Sequence, residues 1–414
     1  MKVVHIATDD LTGGAAIAAY RLNEAMNQNN IDSKMLVALK TSKSLNVVSF
    51  FKRLKELWFR LISGILSVCN GRILQTSYDF SLGIGCAYLA SDSLVKEVDL
   101  IYVHWVGKGF LGIKQIEKLL KTGKPIVMFM HDMWDITGGC HHSFGCNQYQ
   151  SRCQMCPIIQ NSCFKGLVSK VYKQKEKKLK PYSNLCFATP SNWLGDCVKK
   201  SALFNSHNIM VIPNIIDTTK FKPFNKEFAR EILGLPQDKK LLLFGANGGK
   251  NNPSKGWNYL KEALSYLKRD DIEIVFFGGE LSEDEKQELG LFSHSLGYIV
   301  DAYSLALMYN AVDTFVIPSL AENFPNTILE SLSCGTLVVG FNVGGIPDLI
   351  RHKQTGYLAK YKDAKDLVVG IDWAIEHMDR EIALTLHSFV QENFSYDKGV
   401  KMHIDYWNNI MTRS

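Results

Sequence analysis

The sequence predicts an α/β chain built from two doubly wound units, each a parallel sheet covered by helices. Three observations carry that expectation. First, strand-length apolar runs recur at Val3–Ala7, Leu100–Val106, Ile126–Met130, Leu185–Ala188, Met210–Ile212, Leu241–Phe244, Ile272–Phe277, Thr314–Ile317 and Leu337–Val339. They are continuous rather than alternating, the pattern of strands buried on both faces. Second, helix-length segments such as Asn258–Leu267, Ala302–Tyr309 and Thr327–Ser333 separate many of them, and strand–helix alternation favours a doubly wound sheet. Third, 414 residues suit two or three domains, and the charge divides the chain. Residues 1–210 hold 26 Lys and Arg against 14 Asp and Glu, whereas the remainder holds 21 against 27. The sign changes near Pro213-Asn214, so the expected divisions are 1–212, 213–392 and a helical tail, 393–414.

With 46% hydrophobic and 21% charged residues, the chain can bury sizeable cores and is neither disordered nor fibrous. The start, MKVVHIATDD, has no signal-peptide pattern, and no uninterrupted apolar run reaches bilayer length. The chain is therefore expected in the cytosol. A basic first half suits phosphorylated ligands or an anionic membrane. Nucleic acid is excluded as the expected partner, because neither an aromatic-interleaved RNA motif nor a helix-turn-helix is present.

Along the chain, Gly13-Gly14-Ala15 follows the first strand and opens a helical stretch. Bare backbone N–H groups at a helix start can seat an anion, although the spacing is not that of a dinucleotide fingerprint, and a plain tight turn reads equally well. In the second half, GANGGKNNPSKG follows Leu241–Phe244 and ends in Lys255-Gly256. A lysine there can neutralise a diphosphate; a solvated lysine is the alternative. Pro318-Ser319 closes a strand, and a helix is expected from about Pro325, which puts Glu322 in the loop and Glu330 in the helix. Carboxylates can take paired sugar hydroxyls, though two solvated acids at this spacing mean little alone. Gly344-Gly345 offers another close backbone approach after Leu337–Val339.

Together with His131-Asp132, Ile212-Pro213-Asn214, Phe277-Gly278-Gly279 and Gly344-Gly345-Ile346-Pro347, these motifs resemble family 4 glycosyltransferases of the GT-B fold. Nearer still, the chain is similar to enzymes of bacterial colanic-acid, capsule and O-antigen assembly. The resemblance implies two Rossmann-like domains facing a cleft, with a final helix that crosses back to the first. It implies a retaining transfer from a UDP- or GDP-sugar to a glycan carried on a lipid diphosphate. Glu330 would take the ribose, Glu322 the donor sugar, and Lys255 the diphosphate. Backbone at Gly14, Phe324, Pro325, Asn326 and Thr327 would assist, with His131 near the anomeric carbon. The family's arginine ahead of the lysine is missing: Gly249 and Lys250 stand there, and Lys250 can supply charge without a bidentate fork. No Asp-x-Asp is present to hold a catalytic metal, so none is expected. An inactive nucleotide- or glycan-binding scaffold and a nucleotide-sugar epimerase on the same architecture are the rival readings.

Cys140, Cys146 and the knuckle Cys153-Gln-Met-Cys156 follow soon after His131. Four such thiols suit a structural zinc; packed thiols and disulfides are the other two readings. Two basic segments stand out. Phe51–Val68 reads as an amphipathic helix with a basic face, and Lys165–Lys180 is lysine-rich. Either can be a solvated or core helix, but both suit a peripheral enzyme on the cytosolic membrane surface. In the tail, Val400, Ile404, Trp407 and Ile410 form an apolar stripe expected to pack on the first domain.

Overall fold

A computed structural model describes residues 1–76, 78–245 and 252–412. The chain divides into two compact units, Met1–Asn214 with Gly399–Ser414, and Ile215–Lys398. The first holds strands β1 (Lys2–Asp9), β2 (Asp32–Leu39), β3 (Val47–Ser49), β4 (Leu100–Val103), β5 (Ile126–Phe129), β6 (Leu185–Thr189) and β7 (Asn208–Val211). The second holds β8 (Lys240–Gly245), β9 (Ile272–Phe277), β10 (Ser293–Ser295), β11 (Thr314–Ile317), β12 (Leu337–Phe341) and β13 (Gly356–Ala359).

The first sheet runs β3-β2-β1-β4-β5-β6-β7 and the second β10-β9-β8-β11-β12-β13. Every named pairing is parallel. In both sheets the strand order reverses direction once, at β1/β4 and at β8/β11. Doubly wound sheets bind ligands at such a switch, beyond the carboxyl ends of the strands. The continuous apolar runs have the burial expected of them: every residue of β4, β5, β6, β11 and β12 is buried.

Four strands escaped the sequence reading. β2 opens on Asp-Ser-Lys, yet lies between β1 and β3, with Met35 opposite both His5 and Val47. β13 is only Gly-Tyr-Leu-Ala, and it borrows its order from β12. β3 and β10 have three residues each. Runs this short carry little periodicity, and the neighbouring strand supplies what propensity lacks.

The tail forms a helix, Tyr396–Met411, whose last residues belong to the first unit. Trp407 Nε1 donates to the Tyr102 hydroxyl at 2.6 Å, and that hydroxyl lies 2.8 Å from His403 Nδ1. Tyr406 donates to the Phe187 carbonyl at 2.8 Å. Val400, Trp407 and Ile410 are buried as expected, but Ile404 is 37% exposed. The buried arc is centred nearer His403 and Tyr406, whose polar tips have partners; the sequence stripe counted only apolar residues and so drew the arc about one residue off.

Candidate functional site

In the second unit the groups gather beyond β8, β11 and β12. Lys255 closes a short turn, Pro253–Lys255, and the next helix begins at Trp257 rather than at the lysine. Gly256 separates them at φ +73°, and a Cβ there would come within 1.8 Å of the Pro318 carbonyl oxygen. Leu320 N donates to the Ser254 carbonyl at 2.7 Å, which ties the lysine turn to the loop after β11. From the other side, Gly345 N donates to the Glu322 carbonyl, and Gly344, at φ +58°, leaves no room for a Cβ against that same oxygen, 1.9 Å away. Glycine is thus required at both places, by left-handed backbone and by contact. Lys255-Gly256, Pro318-Ser319, Glu322 and Gly344-Gly345, which are dispersed in sequence, meet in one place.

Glu322 is half-buried, and Lys255 Nζ donates to its Oε1 at 2.5 Å. Pro325 precedes the helix Asn326–Ser333, as the sequence reading placed it. The first N–H groups of that helix belong to Asn326 and Thr327 and have no intrahelical acceptor. Phe324 is buried and packs edge-on to Phe394, with ring centroids 5.9 Å apart, which holds the entry to the helix. Glu330 is buried one turn further on, and the Tyr309 hydroxyl donates to its Oε2 at 3.0 Å. Tyr309 was not singled out from sequence; as one aromatic in an apolar helix, it carries no local signal. Lys250 lies outside the described residues.

In the first unit, Gly13 stands ahead of the helix Gly14–Gln28 at φ +91°, with open space where a Cβ would be. His131 follows β5. Its Nε2 lies 3.0 Å from His104 Nδ1, and His104 Nε2 lies 2.9 Å from His5 Nδ1. His5 is within β1 and His104 follows β4, so three neighbouring strands contribute one histidine each to a connected column. Burial drives all three toward the neutral form: His5 to about 3, His131 to about 4, and His104 well below the usual range. The sequence reading found only His131. A polar residue inside or ending an apolar run, as in Val-Val-His-Ile and Tyr-Val-His-Trp, was the available signal.

Beside His131, Asp132 accepts from Trp134 N at 2.8 Å and pairs with His141 Nδ1 at 2.6 Å. Burial opposes the Asp132 charge, yet His141 and that backbone bond outweigh it and hold the carboxyl below its usual range. Burial likewise opposes a charge on His141, but Asp132 raises its pKa overall.

Cys140, Cys146, Cys153 and Cys156 all line one small cavity, together with Gln148, Met155 and Pro157. All ten cysteines are free thiols, which removes the disulfide reading. Burial pushes Cys140 up to about 12 and Cys153 to about 11. Among the described residues, no three His, Cys, Asp or Glu side chains are placed to hold a metal.

The lysine-rich segment becomes a helix, Leu167–Lys178, and much of its charge is spent inside the fold. Lys175 is fully buried, donates to the Trp134 and Thr137 carbonyls, and sits 3.7 Å over the Trp134 ring. Lys178 pairs with Glu117, and Lys180 donates to the Ala202 carbonyl. Lys170, Lys173 and Lys177 remain exposed, so the segment's charge is divided between the interior and the surface.

Residues 225–384 match the family described as "Glycosyl transferases group 1". The match spans less than half of the chain, and the chain as a whole has an α/β fold of the GT-B type. A D-inositol 3-phosphate glycosyltransferase of Catenulispora acidiphila is 30% identical over 172 residues, 38% of this chain and 40% of that protein. An uncharacterized glycosyltransferase of Methanocaldococcus jannaschii is 29% identical over 44% of this chain and 48% of its own length. The chain thus spans less than half the length of these curated relatives. Among solved structures, a sucrose-phosphate synthase of Thermosynechococcus elongatus superposes with a TM-score of 0.67 at 16% identity, covering all of both chains. Anabaena HepE, solved with UDP and glucose, gives 0.65 at 16% identity over 99% of each chain. WaaG, a glycosyltransferase of lipopolysaccharide biosynthesis, gives 0.58 at 13% over 97% of this chain and 98% of its own. Several curated relatives carry the inositol phosphate description, which differs from the colanic-acid, capsule or O-antigen one that the motifs resemble.

Proposed function

We propose that the protein is a retaining glycosyltransferase. It moves a sugar from a UDP- or GDP-sugar to a lipid-diphosphate-linked glycan at the cytosolic membrane face, in surface polysaccharide synthesis. The observation that carries this reading is the convergence of Lys255, Glu322 and the start of the helix holding Glu330. Glu330 binds the ribose hydroxyls, and Glu322 the hydroxyls of the donor sugar. Lys255 and the backbone N–H groups of Phe324, Asn326 and Thr327 neutralise the diphosphate; the helix start adds a favourable dipole. Pro325 has no N–H to offer but fixes the turn that presents the others. In the first unit, the proposed roles are an anion-binding N–H for Gly14 and a neutral hydrogen-bond partner for His131.

The Lys255–Glu322 pair gives the site a resting arrangement. A diphosphate competes for the lysine with more charge than one carboxylate has, and it frees Glu322 for the sugar. In the transfer, the bond from the anomeric carbon to the phosphate oxygen breaks and a bond to the acceptor oxygen forms on the same face. The acceptor proton passes to the departing phosphate oxygen. Charge on the leaving diphosphate is met by Lys255 and preorganised N–H groups, so the step proceeds without a catalytic metal. HepE, solved with UDP-glucose, supports the donor class, and WaaG supports the lipopolysaccharide setting. Hydrolysis of UDP-, GDP- and ADP-sugars by the purified chain tests this reading. Release of the free sugar from a UDP- or GDP-sugar is expected, and no release from any of the three would overturn it.

A further inference from the structure

The helix Arg53–Val68 has two apolar faces, and the fold uses one. On the inner side Phe59 is buried, stacked on Phe51 with ring centroids 5.3 Å apart and set edge-on to Phe110 at 6.1 Å. Ile62 and Leu66 close over Gly109, where a Cβ would come within 3.2 Å and 2.8 Å of them. On the outer side Leu54, Leu57, Trp58, Leu61, Ile65 and Val68 are each between 50% and 77% exposed. At 3.6 residues per turn these six fall within one arc of roughly 100°. A stripe of this size on a monomer surface marks an interaction site.

The charges say with what. Residues 52–72 hold Lys52, Arg53, Lys55, Arg60 and Arg72 against Glu56 alone. Lys55 and Arg60 are exposed and lie on opposite flanks of the stripe. An apolar stripe edged by cations is the form of a helix lying in the plane of a bilayer interface. The segment Leu54–Leu74 is long and apolar enough to cross a membrane by length and composition alone. The buried Phe59 side pins it to the first unit, which leaves only the outer arc for lipid. A second copy is a poorer fit, because a two-fold contact through this stripe would set one basic segment against another.

We infer that the outer face of Arg53–Val68 docks this protein on an anionic phospholipid surface, with the Leu/Trp/Ile stripe in the acyl boundary and Lys52, Lys55 and Arg60 at the headgroups. The inference concerns where the protein sits; it does not depend on the transfer reaction, and donor hydrolysis keeps the two apart. The test is co-sedimentation of the full chain with vesicles of phosphatidylethanolamine and phosphatidylglycerol, and separately of phosphatidylcholine alone. The wild type is expected to bind the anionic vesicles at least about tenfold more tightly than the neutral ones. Trp58→Glu with Leu61→Glu should lose about a hundredfold or more on the anionic vesicles. Lys52→Gln with Lys55→Gln should lose about tenfold and respond less to salt. Both variants should keep the wild-type melting temperature and donor hydrolysis, since all four side chains are exposed. Wild type that stays in solution with both vesicle types, or a glutamate variant that binds like wild type, overturns the inference. So does a wild-type dimer in light scattering that the glutamate variant abolishes, for then a second copy covers the stripe. Loss of hydrolysis in every form, with sedimentation intact, sinks the enzymatic reading and leaves this one standing.

Discussion

The two units hold their candidate groups by opposite electrostatic means. In the second, Glu322 and Glu330 keep oxygens in reach of donors: a lysine for one, a tyrosine hydroxyl for the other. In the first, His131 ends a column of histidines that burial holds neutral. On the proposed reading, a diphosphate calls for charged partners in the second unit, and a neutral imidazole offers a hydrogen-bonding dipole without a charge to be paired. The comparison teaches that the second unit should respond mainly to loss of a single side chain, and the first to packing and to protons.

The largest expected effect tests the packing half of that contrast. Trp407→Ala removes a buried ring and its bond to Tyr102, and should destabilise the first unit by about 3–5 kcal/mol. Thermal unfolding of the variant checks it, and a change within experimental error would show that the tail contributes little to the unit it packs on.

Next come the carboxylates. Glu330→Ala should weaken UDP or GDP binding by roughly ten- to a hundredfold, the value of one hydrogen bond to a charged group. Glu322→Ala should leave free nucleotide binding near wild type while turnover with the sugar donor falls. Calorimetric titration separates the two, and equal nucleotide affinity in Glu330→Ala and wild type would remove the ribose role.

Acid comes third. The folded-state values of His5, His131 and His403, about 3, 4 and 3, lie below the unfolded value of 6.5. Below pH 6.5 the unfolded chain therefore binds protons that the folded chain refuses. Stability is full above that value and falls as the pH drops toward 4, by roughly 1 kcal/mol for each histidine between pH 7 and 5.5. Denaturant titrations across this range should show the decline. His5→Gln, uncharged at every pH, should flatten it; an unchanged slope would argue that the column is not what titrates.

Two metal experiments follow. Elemental analysis of freshly purified protein should find about one zinc per chain if the shared cavity of Cys140, Cys146, Cys153 and Cys156 works as the spacing proposes; none would leave the packed, protonated thiols as the account. The smallest expected effect is no effect. A brief EDTA treatment should leave the transfer rate unchanged, and a loss that magnesium or manganese restores would overturn the metal-independent step.

Much of this was legible along the chain, and the reasons differ by residue. Strands buried on both faces announce themselves as unbroken apolar runs, so β1, β4, β5, β6, β8, β9, β11 and β12 were readable. Glu322 and Glu330 were readable because a loop and the helix after it are local. The burial of Lys175 was not readable, because nothing nearby in sequence shows that two carbonyls from residues 134 and 137 accept from its ammonium group. β2 was missed because its order comes from the strands on either side. In the same way, the sequence by itself determined the alternation of strands and helices, the order of the motifs and the amphipathic pattern of Phe51–Val68 with its cations, while the exposure of its apolar stripe came from the structure. Only the tertiary structure decided that Lys255 meets Glu322, that Gly256 and Gly344 must be glycine, that His5, His104 and His131 line up, and that His403 and Tyr406 are turned inward in place of Ile404. Local patterns record contacts a few residues apart. The register of a sheet and the packing of elements distant in sequence are set by many weak contacts acting at once, and no window of sequence contains them.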